Sequence, residues 1–337
     1  MHALVTGGTG FIGSHLVDEL LEQGYDVRIL RRKTSPQPLV EDEKLSFVVG
    51  DLTDRGSLVK ACQQVEVVFH VAALPRDWGP KKTFFEVNLD GTKNLLDAAI
   101  HNKVPRFVFM SSAAVYGFPR TQEPVAEDYP KQPTLKYGES KLCAEELLWD
   151  YGKKHNIVVS AIRSPLVTGP RDRLIALFLI KALQKKRLFY VGNGNQQISI
   201  SDGRDVARCL RLVGESMIAN GQAYNVKSFD STPRQLIETL AERLGLPAPE
   251  THRSYLSAYV LASMIEGIWI LLGKENPPFT RHKVRVMGTP RLLDITKATQ
   301  ELNYTPRYTL AATIDDVVSW YRTSTKGSSI TAQKSVP

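Results

Sequence analysis

The chain reads as an α/β protein: a doubly wound parallel sheet with a smaller, mostly helical C-terminal region. Two patterns carry that reading. In the first half, strand-like runs at DVRIL, LSFVV, EVVFHVA, RFVFMSS and IVVSAIR alternate with helical stretches that include 83–100 and 134–154, which points to a sheet of six or seven strands. At its start, ALVTGGTGFIGSHLVDELLEQG passes from a short apolar run through a glycine cluster into apolar residues at helical spacing. That is a strand, a tight turn and a helix.

In the opening unit, Gly7, Gly10 and Gly13 let the backbone turn tightly, approach a pyrophosphate and pack the helix on the strand, while the first helical amides face the phosphates. A phosphate there needs no lysine. The second strand ends where dinucleotide-binding folds commonly place an acid on the ribose hydroxyls, but this chain continues Arg31, Arg32, Lys33. A guanidinium grips a 2′-phosphate bidentately, so the corner favours NADP(H) over NAD(H), a plain solvated basic loop being the alternative. After the third strand, FVVGDLTD sets Asp51 where its carboxylate reaches an adenine amino group; Asp51 and Asp54 also suit helix caps. His70, in FHVAA, reads as a packed, hydrogen-bonded histidine beside the cofactor.

Beyond RSPLVTGP the pattern turns irregular, with helices expected over 173–184, 205–218, 232–244 and 310–321 and short strands near LFYV, QISI and AYNV. The stretch 255–273 is apolar but short for a spanning helix, and it contains Glu266. It suits a lid over an apolar pocket, a helix lying on a membrane with Lys274, Arg281, Lys283 and Arg285 nearby, or a plain core helix. The final 15 residues, from 323, are polar and expected to be disordered.

Composition narrows the class. With 337 residues, 23% charged and 42% hydrophobic, the chain can bury one substantial core or two fused ones. Three scattered cysteines, Cys62, Cys143 and Cys209, lack metal spacing and argue for a reducing compartment. Seven unclustered histidines argue against a metal. With a strand beginning at His2, no leader is expected and the cytoplasm is the default location. The net charge of +8 is dispersed, without aromatic ladders, so it points to a phosphorylated cofactor, an acidic substrate or an anionic membrane surface and not to nucleic acid.

Several motifs in order, TGGTGFIG, GDLTD, HVAAL, NLDGTKNLLDAA, MSSAAVYG, YGESKLCAE, RSPLVTGP and ISISDGRDVARCL, give the chain a resemblance to the extended short-chain dehydrogenases/reductases, the NAD-dependent epimerase/dehydratase superfamily. The run NPPFTRHKVRVMGTPRLLDITKATQELNYTP and the run DWGPKKTFFEVNLDGT resemble its 3β-hydroxysteroid and sterol dehydrogenase branch. The resemblance implies a Rossmann-type cofactor domain over 1–165, a substrate region over 166–322 interleaved with it, and a tail over 323–337. It implies catalytic Ser112, Tyr137 and Lys141, a structural and proton-relay Asn88, and cofactor contacts from Phe11, Ile12, Leu52, Ala72, Ala73 and Pro165 besides the glycines, Arg31, Arg32 and Asp51. Thr168 stands where many relatives carry an aromatic residue, in the segment 165–170 expected over the nicotinamide. A homodimer through the helices around Tyr137 is also implied.

Reducing a carbonyl by hydride transfer builds negative charge on oxygen, so one group must hydrogen-bond it and another must deliver a proton. Ser112 suits the first task and Tyr137 the second. A free phenol, with a pKa near about 10, is expected to be lowered by the ammonium of Lys141 one turn along the same helix face and by the positively charged nicotinamide. The resemblance thus implies an NADP(H)-linked oxidoreductase acting on a bulky hydrophobic alcohol or ketone, sterol-like or flavonol-like. A nucleotide-sugar epimerase or dehydratase keeps the same Ser, Tyr and Lys, and a non-catalytic redox sensor would bind the dinucleotide without them; Trp78 and Tyr116 are further candidates for the substrate border.

Overall fold

In the computed structural model, which describes residues 1–36, 40–275 and 277–332, the expected sheet is present, with seven parallel strands. The first half supplies β1 (His2–Thr6), α1 (Phe11–Glu22), β2 (Asp26–Arg31), β3 (Leu45–Val49), α2 (Arg55–Ala61), β4 (Val67–His70), α3 (Lys81–Phe85), α4 (Gly91–His101), β5 (Arg106–Met110), α5 (Lys136–Lys154) and β6 (Val158–Arg163). The second half adds β7 (Leu166–Thr168), α6 (Ile175–Gln184), β8 (Tyr190–Val191), β9 (Ile198–Asp202), α7 (Gly203–Glu215), β10 (Gln222–Asn225), β11 (Phe229–Ser231), α8 (Pro233–Leu244), β12 (His252–Arg253), α9 (Tyr255–Leu271), α10 (Arg281–Gly288), α11 (Thr296–Leu302) and α12 (Leu310–Ala332).

Strand order is β10-β6-β5-β4-β1-β2-β3. Side chains alternate between the two layers: Ala3 and Val5 of β1 enter one core with Leu16, Leu20 and Leu210 of α1 and α7, whereas Leu4 enters the other with Leu58, Leu95 and Leu148 of α2, α4 and α5. AYNV, read from sequence as a stray short strand of the second half, is β10, paired in parallel with β6. Both β10 and α7 lie beyond residue 165 in sequence and yet complete the sheet layer.

A third core gathers Ile180, Leu183, Tyr190, Ile237, Leu240 and Val317 from α6, β8, α8 and α12. Its best-marked element is α8: Thr232 and Gln235 form a reciprocal capping box, Pro233 opens the first turn, and Gly245 ends the helix at φ 70°. The expected single helix over 83–100 is interrupted by a π turn at Glu86–Asp90, which shares its apolar periodicity and so leaves no trace in the sequence pattern. The C-terminal helix, expected to stop at 321, continues through a stretch free of proline to Ala332; residues 333–337 of the expected tail lie outside the described residues. Among the described residues no helix is long and apolar enough to cross a membrane.

Candidate active site

The strand-turn-helix at the start of the chain forms one end of a cavity of about 1420 Å³. Gly7 takes φ +73°, and a Cβ at Gly13 would meet the Gly7 carbonyl oxygen at 2.1 Å, so the turn itself excludes side chains at these two positions. Helix α1 begins with no side-chain cap and no acid in its first turn. Its free amides and positive dipole end suit a pyrophosphate, and Gly10, Phe11, Ile12 and Gly13 all line the cavity. Leu52, Ala72, Ala73 and Pro165 line it too.

At the end of β2, Arg31 lies over the Phe47 ring at 5.5 Å, and its buried Nε has no partner among the described residues. Arg32 and Ser35 continue this wall, and among the described residues no ion pair with an acid is formed by Arg31 or Arg32. Asp51 also borders the cavity, but its Oδ1 accepts from the amide and hydroxyl of Thr53 (3.0 and 2.9 Å), while Asp54 caps α2. An orphaned guanidinium donor and an uncapped glycine turn are the pattern a phosphorylated dinucleotide fits.

Ser112 and Tyr137 line the same cavity. Ser112 sits where β5 ends, capping the short turn Ala113–Tyr116 by accepting from the Ala114 amide at 3.1 Å. Burial raises the Tyr137 phenol above its ordinary value, and the hydrogen bond with Ser112 opposes it. The expected depression by Lys141 is therefore not found: burial dominates, and Lys141 is not among the groups that shift the phenol. Lys141 is itself buried, with Nζ 3.9 Å from the centre of the Phe109 ring, and desolvation lowers it to about 7, against the pull of Glu145.

Asn88 does not reach the cavity. The π turn points its amide between two elements, where Oδ1 accepts from Leu74 N–H (2.8 Å) and Nδ2 donates to Ser140 Oγ (3.0 Å), so it ties the loop after β4 to α5. His70 is enclosed as read: the Thr92 hydroxyl donates to the Asn88 carbonyl (2.6 Å), so His70 Nε2 must donate to Thr92 (2.9 Å) and Nδ1 accept from Thr6 (2.7 Å). Burial and Lys141 lower it to about 3, which keeps it neutral. Thr168 is buried and donates to Asp172 (3.3 Å), while Pro165, Leu166 and Val167 stand on the cavity wall. Tyr116 touches the cavity but spends its hydroxyl on Asn225 (2.8 Å), and Trp78 is not among the lining residues.

Sequence reasoning missed the support beneath Lys141. Glu145, one turn further along α5, is buried and pairs with buried Arg163 of β6, while Ser111 donates to it at 2.7 Å. The pocket-lid reading of 255–273 agrees with Leu261 and Ile265 on the far wall of the cavity, but Phe178, Phe189, Phe279 and Met287, which complete that wall, were not named from the sequence. These lie on α6, α10 and their loops, where no local motif marks them.

Comparison with known proteins agrees with this geometry. Residues 3–226 match the NAD dependent epimerase/dehydratase family. The chain is 28% identical over 326 residues to the mouse (Mus musculus) sterol-4-alpha-carboxylate 3-dehydrogenase, decarboxylating, covering 93% of this chain and 89% of that one. It is 30% identical over 330 residues to a putative dihydroflavonol 4-reductase of Synechocystis sp., 94% of each being covered. Among solved structures it resembles DesIV, a dTDP-glucose 4,6-dehydratase of Streptomyces venezuelae with NAD bound, at 27% identity and a TM-score of 0.79, over 96% and 97% of the two chains.

The depressed lysine has a testable signature in the cofactor-free protein. Its folded pKa of about 7 lies below its unfolded value near about 10.4, so between these limits the unfolded chain binds the extra proton and stability rises with pH. Lys141→Met removes that term. Its melting temperature relative to the parent should be most favourable near neutral pH and should lose ground toward pH ~9; a pH-independent difference would show that Lys141 is not held deprotonated.

Proposed function

Since the chain belongs to the NAD dependent epimerase/dehydratase family, we propose that this oxidoreductase is an NADP(H)-dependent enzyme that interconverts a secondary alcohol and a ketone on a bulky hydrophobic substrate, with Tyr137 as acid/base. One observation carries the reading: a continuous cavity of about 1420 Å³ joins the glycine turn to an apolar chamber, with Ser112 and Tyr137 on its wall. That volume exceeds the roughly 300–1,000 Å³ of a single-ligand pocket, so there is room for a cofactor and a substrate end to end.

When bound, the nicotinamide supplies or accepts the hydride. The chain's part is to hold the substrate oxygen and to manage its proton. Ser112 donates a hydrogen bond to that oxygen, and Tyr137, protonated because it is buried, delivers the proton as negative charge develops. Lys141 beneath them provides a group that titrates near neutrality. Asn88 fixes α5 to the loop carrying Leu74, and so sets where Tyr137 stands.

The nucleotide-sugar alternative asks for many donors to sugar hydroxyls and a diphosphate, whereas rings and aliphatic chains make up most of this chamber, with Lys181, Lys185, Arg187, Lys283 and Arg291 as its cations. Relatives named as a sterol-4-alpha-carboxylate 3-dehydrogenase, decarboxylating, and a putative dihydroflavonol 4-reductase support a largely apolar substrate. Of the three sequence readings of α9, its two faces support the pocket lid and the membrane-lying helix over a plain core helix. Leu261 and Ile265 face the cavity, and Leu256, Val260, Met264, Ile268 and Leu271 form an exposed stripe at helical spacing. Glu266 lies on neither side: it is buried and ion-paired to Arg281 Nε at 2.6 Å. An exposed apolar stripe of this kind is suited to a membrane surface on which hydrophobic substrates are dissolved.

Three outcomes test this. With a bulky apolar secondary alcohol and NADP+, Tyr137→Phe should lower kcat by at least about a thousandfold while cofactor Kd stays within twofold; undiminished turnover removes the acid/base assignment. Arg31→Asp should move the NADP+/NAD+ ratio of kcat/KM at least about tenfold toward NAD+, and an unchanged ratio reduces the basic corner to surface. In vesicle flotation the parent should bind liposomes and Ile268→Glu with Leu271→Glu should not; absence of binding by the parent at low salt discards the membrane contact.

A further inference from the structure

Arg291 is a charged group without a counter-charge in an enclosed place. Its backbone is clamped, since its N–H donates to the Gln197 carbonyl (2.9 Å) and its own carbonyl accepts from Ser199 N–H (2.8 Å). The guanidinium makes one hydrogen bond among the described residues, from NH2 to the Val286 carbonyl at 3.2 Å, and its buried Nε has none. By contrast Arg163 is paired with Glu145, Arg204 with Asp202 and Asp316, and Arg211 with Glu19 and Glu215. Burial alone acts on Arg291, lowering it to about 10, which leaves it charged at neutral pH.

His282 stands beside it with a buried, unpartnered Nδ1, and it is held to about 4 by burial and by Arg291, so at neutral pH it offers an N–H without a second charge. Both residues line the cavity. The ring of Phe118 joins them: His282 meets its edge at 5.8 Å, and Arg291 and Arg285 lie over it at 5.5 and 5.1 Å. Phe118 follows the turn capped by Ser112 by only a few residues, so this cluster belongs to the chamber wall that carries the reacting groups. The one acid felt by His282, Asp77, is already engaged by Thr280 at 3.0 Å and Lys283 at 3.9 Å.

We infer that Arg291 and His282 form a seat for one carboxylate of an otherwise apolar substrate, and so select hydroxy or oxo acids over neutral alcohols and ketones of the same skeleton. A planar guanidinium fork matches a carboxylate bidentately, and a neighbouring neutral N–H completes its coordination. Lys181, Lys185, Arg187 and Lys283 line the same cavity, so a diphosphate is the competing occupant that the test separates from a carboxylate. This inference rests on the chamber being the substrate site.

The test compares 3-hydroxydecanoate with its methyl ester, using NADP+, in the parent, Arg291→Leu and Arg291→Lys. The parent should favour the acid at least about tenfold in kcat/KM, the leucine variant should bring the two within about twofold, and the lysine variant should keep part of the preference. Equal use of acid and ester by the parent, or a preference that survives in Arg291→Leu, overturns the seat while leaving the oxidoreductase reading intact. If neither compound is turned over, calorimetry of decanoate against decan-1-ol on the NADP+-loaded protein decides: acid-selective binding lost in Arg291→Leu keeps the seat and discards the hydride reaction, and unselective binding sinks the seat. Tight binding of UDP that depends on Arg291 assigns the cation to a diphosphate and likewise overturns it.

Discussion

The geometry of the site depends on a buried ion pair beneath it. Glu145 and Arg163 are both almost fully enclosed, and each is satisfied beyond the pair: Ser111 donates to the carboxylate, while the guanidinium also donates to the Tyr116 hydroxyl and the Glu127 carbonyl, each at 2.8 Å. Such a pair offsets its desolvation only when its remaining donors and acceptors are used, and loss of one partner costs about 3–5 kcal/mol. The network extends from Tyr116 to Asn225, whose N–H donates to the Glu127 carboxylate at 2.7 Å. It therefore joins β5, α5, β6 and β10 at one edge of the sheet, where strand ends would otherwise leave polar groups unmatched. Tyr137 and Lys141 ride on the α5 turns above Glu145, so their place is set from below.

The same pair shapes the electrostatics. Glu145 is the one charge that supports protonation of Lys141, and desolvation outweighs it. Burial thus favours a protonated phenol at Tyr137 above a lysine that titrates near neutrality. The uncapped amides of α1 and the unpartnered Nε of Arg31 would hold the phosphates of a dinucleotide, which would supply the hydride chemistry.

Features fixed by local chemistry were legible in the sequence. The glycine turn is one, since Gly7 and Gly13 admit no side chain; the helix expected over 232–244 is another, its start fixed by Thr232; the spacing of Tyr137 and Lys141 on one helix face is a third. Features fixed by distant neighbours were not. The π turn that aims Asn88 differs from α-helix by a single residue of register, below what periodicity resolves. β10 is four residues long in an irregular stretch, and only its pairing with β6 makes it a sheet strand. The rise of the Tyr137 pKa follows from burial, which no spacing reports, and the solitude of Arg291 is a statement about carboxylates missing from its surroundings.

A Ser, a Tyr and a Lys below a dinucleotide turn do not by themselves choose between removing a hydride for good and returning it to the same molecule, because both reactions need the same proton management at one oxygen. The choice lies in what the opposite wall grips. A sugar nucleotide held through a diphosphate and hydroxyl contacts demands many polar partners, and an unpaired donor in a dry chamber would raise the cost of burying each of them. Here Phe178, Phe189, Phe279 and Met287 offer area instead of partners, which favours a ligand bound by excluded water and oriented by few polar contacts. The two-sided helix α9 follows the same logic, since a ligand with little solubility in water reaches such a chamber more readily from a surface that already holds it.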